Sequence, residues 1–168
     1  MSEWRSLEQL YAYNAWANAL TFATCSSLDP AYLATPAAGT VGTIAETLTH
    51  LVGVEDFYVH LLRGEHIEAT SSREAYFGHD LPWFAERAAQ LGKEYGDLLA
   101  QADDQFYGTI LPVTWFDFAP TTQEALLHVL NHSAQHRAQV LSALGARGQE
   151  VPNVDFMLFV QSLRAQTE

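Results

Sequence analysis

Apolar residues recur along this chain at helical spacing, in long stretches cut by strong breakers, and that pattern directs it to an all-α fold. Leu7, Leu10, Tyr11, Asn14, Ala17, Thr21, Phe22 and Cys25 fall at steps of three and four residues, the period of an amphipathic helix. This first segment runs from about Glu3 to Ser27, where Asp29-Pro30 ends it. A second helix is predicted from near Thr40 to Arg63, with Thr43 and Glu46 spaced for a capping box and Gly64 as the stop. A third opens with Asp80 as N-cap and Pro82 in its first turn, and its stripe is Phe84, Ala88, Leu91, Tyr95 and Leu98. The fourth starts at Thr121 or Thr122, with Gln123 or Glu124 placed for capping, and ends near Gly145. Asp155 to Gln166 forms a short fifth helix after the Gly148 and Pro152 turn. Four amphipathic helices of roughly 20 to 25 residues match a four-helix bundle with a short C-terminal helix.

The connections are long. Residues 65–78 read as a polar loop, which permits topologies other than simple up-and-down. Between Asp104 and Pro120, the breakers Gly108, Pro112 and Pro120 interrupt an aromatic segment that reads as a short hairpin or an extended connection. Trp115, Phe116, Asp117 and Phe118 within it are equally suited to cover a pocket, pack in the core or form a dimer surface. No repeat or linker divides residues 1–168, so a single domain is expected.

Composition narrows the function. Cys25 is the sole cysteine, which rules out an intrachain disulfide and any Cys-rich zinc site. Its place on an apolar helical face fits a buried, inert thiol. A formal net charge of −12 repels phosphate backbones and anionic membranes, so neither nucleic acid nor a membrane is expected as partner. Met1 to Arg5 resembles no leader sequence, and the expected location is cytoplasmic.

The chemistry concentrates in Leu127-His128-Val129-Leu130-Asn131-His132-Ser133-Ala134-Gln135-His136-Arg137. Each four-residue step between these histidines turns only about 40° and rises about 6 Å, so neighbouring pairs project from one face. Val129, His132, His136 and Val140 make an apolar stripe, which turns His132 and His136 inward. In helix two, His50, Val54, Phe57 and Leu61 form a similar stripe, with Gly53 permitting close packing. One inward imidazole there completes a set of three. Spacing alone leaves the pairs His128/His132 and His132/His136 both open. A histidine on an apolar face is more often a hydrogen-bonded core residue, and one His-x-x-x-His pair is a weak signal. His60 fits a surface pair with Asp56, and His66 and His79 fall in the loop.

Beyond these residues the chain resembles the DinB-like superfamily, which includes DNA-damage-inducible DinB proteins, YfiT-type proteins and thiol-dependent transferases. The resemblance spans nearly the whole length. It rests on Tyr13-Asn14-Ala15-Trp16-Ala17-Asn18, on Ile44 through Glu55 with His50 inside it, and on His132, His136, Arg137, Gln139 and Val140. Gly148, Pro152, Asp155 and Phe156 also fit. It implies a four-helix bundle, often homodimeric, binding one divalent ion through His50, His132 and His136. Zinc and nickel are the metals it favours, with iron also compatible, and a low-molecular-weight thiol is a possible co-substrate.

Three protein ligands with positions left open is the catalytic pattern for zinc. An ion so held lowers the pKa of a bound water or thiol and generates a nucleophile at neutral pH. The expectation is therefore a metal-dependent thiol S-transferase or hydrolase acting on a small molecule. The alternative is a non-catalytic protein that binds metal or a small ligand. Asn14, Glu46 and Asn131 are candidates to hold the second ring nitrogens, though helix-face polarity and capping explain each singly. A di-iron bundle needs inward carboxylates and Glu-x-x-His pairs; Glu46/His50 and Glu124/His128 stand four apart instead.

Overall fold

The computed structural model describes residues 5–37, 39, 42–65, 76, 78–113 and 117–165. The described chain is all-α, with four long helices: α1 (Arg5–Ser26), α2 (Ile44–Leu62), α3 (Leu81–Ala100) and α5 (Thr122–Gly145). A 3-10 turn (Pro30–Ala34) follows α1, a single helical turn α4 (Asp104–Gly108) precedes α5, and α6 (Phe156–Ala165) closes the order.

Side-chain caps set the helix starts. Thr43 accepts from the Glu46 backbone while Glu46 reaches back to the Thr43 N–H, and Thr121 and Glu124 repeat the arrangement. Each box satisfies two backbone donors that a helix end otherwise leaves unpaired. Asp80 caps α3, with Pro82 in the first turn. The capping box places the start of α2 at Ile44, later than the predicted Thr40, which itself lies outside the described residues.

Packing joins the long helices in a ring. α1 contacts α3 and α5, and α2 contacts the same two. The consecutive helices α1 and α2 are thus diagonal partners, as the long connections allow. Leu48, Leu51, Val52 and Val59 of α2, Leu91 of α3 and Val129, Val140 and Leu144 of α5 fill the centre, essentially without exposure. Burying each such side chain stabilises the fold by about 1.5–3 kcal/mol. α3 approaches α1 closely, because a Cβ on Gly92 would lie 2.7 Å from the Ala15 Cβ. α6 covers α1 through Phe159, whose ring packs 5.9 Å from Tyr13 and 5.8 Å from Trp16.

Three expectations need correction. Leu99, four residues after Tyr95, is the buried end of the α3 stripe, and Leu98 is half-buried. The segment after Asp104 contains a helical turn, because Asp103 accepts from the Phe106 N–H and closes it. An extended pairing does follow: Leu111 donates to the Pro120 carbonyl and Thr122 to that of Thr109, at 2.8 Å each. α6 begins at Phe156, with Asp155 accepting from the Met157 N–H at 2.7 Å. Most of the predicted 65–78 loop, together with His66, Trp115, Phe116 and Gln166, lies outside the described residues. Among the described residues, no helix is long and apolar enough to cross a membrane.

Candidate metal centre

α2 and α5 pack side by side, and this brings three imidazoles together. His50, His132 and His136 form a group whose ligand atoms all lie within 4.8 Å of one another. The ring centroids stand 4.9 Å apart for His50 and His132, 5.0 Å for His50 and His136, and 4.3 Å for His132 and His136. Of the two helix pairs that spacing left open, His132/His136 is the one that stands in this group with His50. His128 is exposed, its ring 5.8 Å from that of His132 and 5.4 Å from that of Tyr58. The other described histidines, His60 and His79, stand apart from this group. His60 sits between Glu65 and Asp56, 3.7 Å from the latter. Asp56 itself is engaged mainly by Tyr76 and by the Arg87 Nε at 2.9 Å. His79 is exposed and stacked on Trp83 at 3.8 Å.

The triad fits a metal on two counts. Nε2 of His132 lies 3.0 Å from Nε2 of His50, and two nitrogens each bound at 2.0–2.1 Å to one ion stand roughly 3 Å apart. Burial, reinforced by the neighbouring imidazoles, lowers the pKa of His132 to about 3. Burial also lowers that of His136, with Gln139 acting the other way. Neutral imidazole is the ligating form. Nδ1 of His132 is buried and makes no hydrogen bond among the described residues, while the side-chain partner of His136 is Gln139, three residues on in the same helix. Metal-ligating histidines usually fix their rings by a hydrogen bond at the second nitrogen, and among the described residues no side chain of another element does this for His132 or His136.

For His132 and His136, none of the three candidates fills that second role among the described residues. Glu46 and Glu124 are exposed and committed to capping boxes, which also removes them as inward carboxylates of a di-iron site. Asn131 is exposed and donates to the Leu127 carbonyl. Asn14 points into a buried polar cluster instead.

That cluster was not anticipated. The carboxylate of Glu55, 1% exposed, accepts from Asn14 Nδ2 at 2.8 Å, Asn18 Nδ2 at 3.0 Å and Ser133 Oγ at 2.6 Å. The Asn14 and Asn18 carbonyl oxygens accept in turn from Arg137 Nη1, at 2.5 and 2.8 Å. Each amide thus faces a cation with its acceptor and an anion with its donor, which an aspartate could not do. Tyr95 of α3 donates to the Glu55 backbone carbonyl at 2.7 Å. The readable signal was polar residues four apart on apolar faces, Asn14/Asn18 and Ser133/Arg137, with Glu55 between Val52 and Val59.

An α-helical bundle with three histidines converging from two adjacent helices defines a class of candidate metal-binding proteins. A family model for the DinB family matches residues 1–167, so the chain belongs to the DinB family. No curated protein matches it.

Proposed function

We propose that His50, His132 and His136 bind one divalent metal ion, and that the loaded protein is an enzyme acting on a small molecule, of the thiol S-transferase or hydrolase type. The convergence of three imidazoles, with no carboxylate in the group, carries this reading. Membership of the DinB family is consistent with it. An all-imidazole set suits zinc, nickel and iron; zinc or nickel is favoured here. When bound, such an ion supplies Lewis acidity, which brings a coordinated water or thiol toward neutral pKa values.

The chain's own residues prepare the site. The low pKa of His132 keeps its lone pair free of a competing proton at neutral pH. Apolar neighbours such as Val129 and Val140 limit water on the α5 side. Three protein nitrogens leave at least one position for a small molecule. A groove of about 580 Å³ runs along α5 past Gln135, Gln139, Ser142 and Arg147, with Thr35 and Pro36 on its other wall. Gln135 and Gln139 of its lining flank His136 in sequence, although none of the three histidines lines it, and we assign the distal part of the substrate to it. The same reading takes the protein as a cytoplasmic homodimer without nucleic-acid or membrane partners, which light scattering at micromolar concentration checks for the dimer.

The test is turnover. Protein loaded with zinc or nickel is given a low-molecular-weight thiol and a chromogenic electrophile, and separately a chromogenic ester. Metal-dependent turnover that disappears in His50→Ala is expected for one of the pairs. Stoichiometric metal binding with no turnover above free metal would instead leave a non-catalytic protein that binds metal or a small ligand.

A further inference from the structure

We infer that the buried Glu55 cluster is a positioning device for the histidine triad: Ser133 and Arg137, each one residue beyond a ligand, fix the rotation of α5 so that His132 and His136 meet His50. The inference rests on the metal-binding reading above and deepens it.

Two observations combine. Nδ1 of His132 makes no hydrogen bond among the described residues, and the side chain that partners His136 is Gln139, three residues on in the same helix, so the placement of both rings depends on the helix that carries them. That helix is held by its next residues. One step along a helix turns about 100°, so while His132 and His136 face α2 on one side, Ser133 and Arg137 face the bundle centre. There Ser133 donates to Glu55 at 2.6 Å, and Arg137 binds the two asparagines of α1 that hold the other side of the same carboxylate. All five side chains are at least nine-tenths buried, so these bonds do not exchange freely with water.

Glu55 lies on α2, five residues after His50. The carboxylate that fixes α5 therefore belongs to the helix bearing the third ligand, and the cluster sets the two ligand-bearing helices relative to each other. The required tolerance is small. A ring nitrogen about 6 Å from its helix axis moves about 1 Å when the helix rotates by ~10°. Metal–nitrogen distances tolerate about 0.2 Å. Apolar packing alone accepts rotations of that size more readily than directional hydrogen bonds do.

The experiment compares Zn2+ affinity, by competition with a chromophoric chelator, and the visible spectrum of the Co2+-loaded protein. The proteins are wild type, Ser133→Ala, and Leu144→Ala as a buried α5 control about three turns from His132. Circular dichroism confirms that each is folded. Ser133→Ala is expected to weaken Zn2+ binding about 10–100-fold and to shift the Co2+ bands. Ser133→Thr, which restores the hydroxyl, recovers both. Leu144→Ala lowers the unfolding midpoint while leaving affinity and spectrum at wild-type values. Should Ser133→Ala fail to fold, Asn18→Ala removes bonds to the same carboxylate from α1 and is read in the same way. Wild-type affinity and spectrum in the folded variant overturn this inference alone. A wild-type protein that takes up neither ion overturns it together with the metal-binding reading.

Discussion

Arg137→Met removes a buried cation and keeps most of the side-chain volume. In the native protein its guanidinium makes two bonds to amide oxygens, at 2.5 and 2.8 Å, and lies 5.8 Å from the Tyr13 ring centre. Burial lowers its pKa, and the Glu55 charge opposes that shift. Without the cation, the two asparagine oxygens lose their donor and the Glu55 carboxylate is left buried with no counter-charge. Breaking a buried pair in this way costs about 3–5 kcal/mol. In a chain of this length that lowers the melting temperature by about 6–20 °C. Glu55→Gln is destabilising for the mirror-image reason, since Arg137 is then buried with no counter-charge, and an amide that keeps its oxygen toward Asn14 and Ser133 sets its NH2 against the Asn18 donor. Together the two substitutions remove both charges, so the double variant loses less than the sum of the singles, by at least about 1 kcal/mol. Urea unfolding followed at 222 nm gives all four values, provided the slopes agree. Additivity within about 0.5 kcal/mol would refute the view that Asn14 and Asn18 couple the two charges.

Three further perturbations follow from other parts of the molecule. The folded pKa of His132 lies near 3 and its unfolded value near 6.5, so the unfolded chain takes up the proton first. In the metal-free protein the contribution of His132 to stability is therefore lost progressively as pH falls from about 6.5 toward 3. The urea midpoint should drop between pH 7.5 and pH 5 by more in wild type than in His132→Ala, and equal drops would contradict the assignment. Cys25 is 1% exposed and burial pushes its pKa up to about 11. A disulfide reagent at pH 8 should leave it untouched in the folded protein and label it in urea; rapid native labelling would show a looser α1. Gly92→Ala gains about 1 kcal/mol of helix propensity but sets a methyl 2.7 Å from the Ala15 Cβ, an overpacking of about 1–3 kcal/mol. A lower melting temperature that Ala15→Gly restores is expected, and a rise in Gly92→Ala would mean that α1 and α3 part easily.

The helices were legible because their signals are local. Thr43 with Glu46, Asp80 with Pro82, and Thr121 with Glu124 announce helix starts within four residues, and the structure uses each of them. The inward turn of His132 and His136 was equally local, since Val129 and Val140 mark the same face. The resemblance supplied the pairing with His50 and the choice of His136 over His128, and the structure brings those three together. The Glu55 cluster was hidden for a different reason. Asn14 and Asn18 look like polar positions on an otherwise apolar helix until α1 is known to lie diagonally across from α2. Only that tertiary arrangement aims their amides at Glu55 and Arg137. The turn at Asp104–Gly108 was missed because Gly108 and Pro112 read as breakers, while the cap at Asp103 is enough to close one helical turn.

The central claim is that three histidines from two helices hold one ion. Elemental analysis of purified wild type beside His132→Ala, after challenge with zinc, nickel and iron and dialysis without chelator, tests it most directly. About one equivalent of metal in wild type and its loss in a folded His132→Ala is the predicted result. Metal retained by the variant, or absent from the wild type under every challenge, would contradict it.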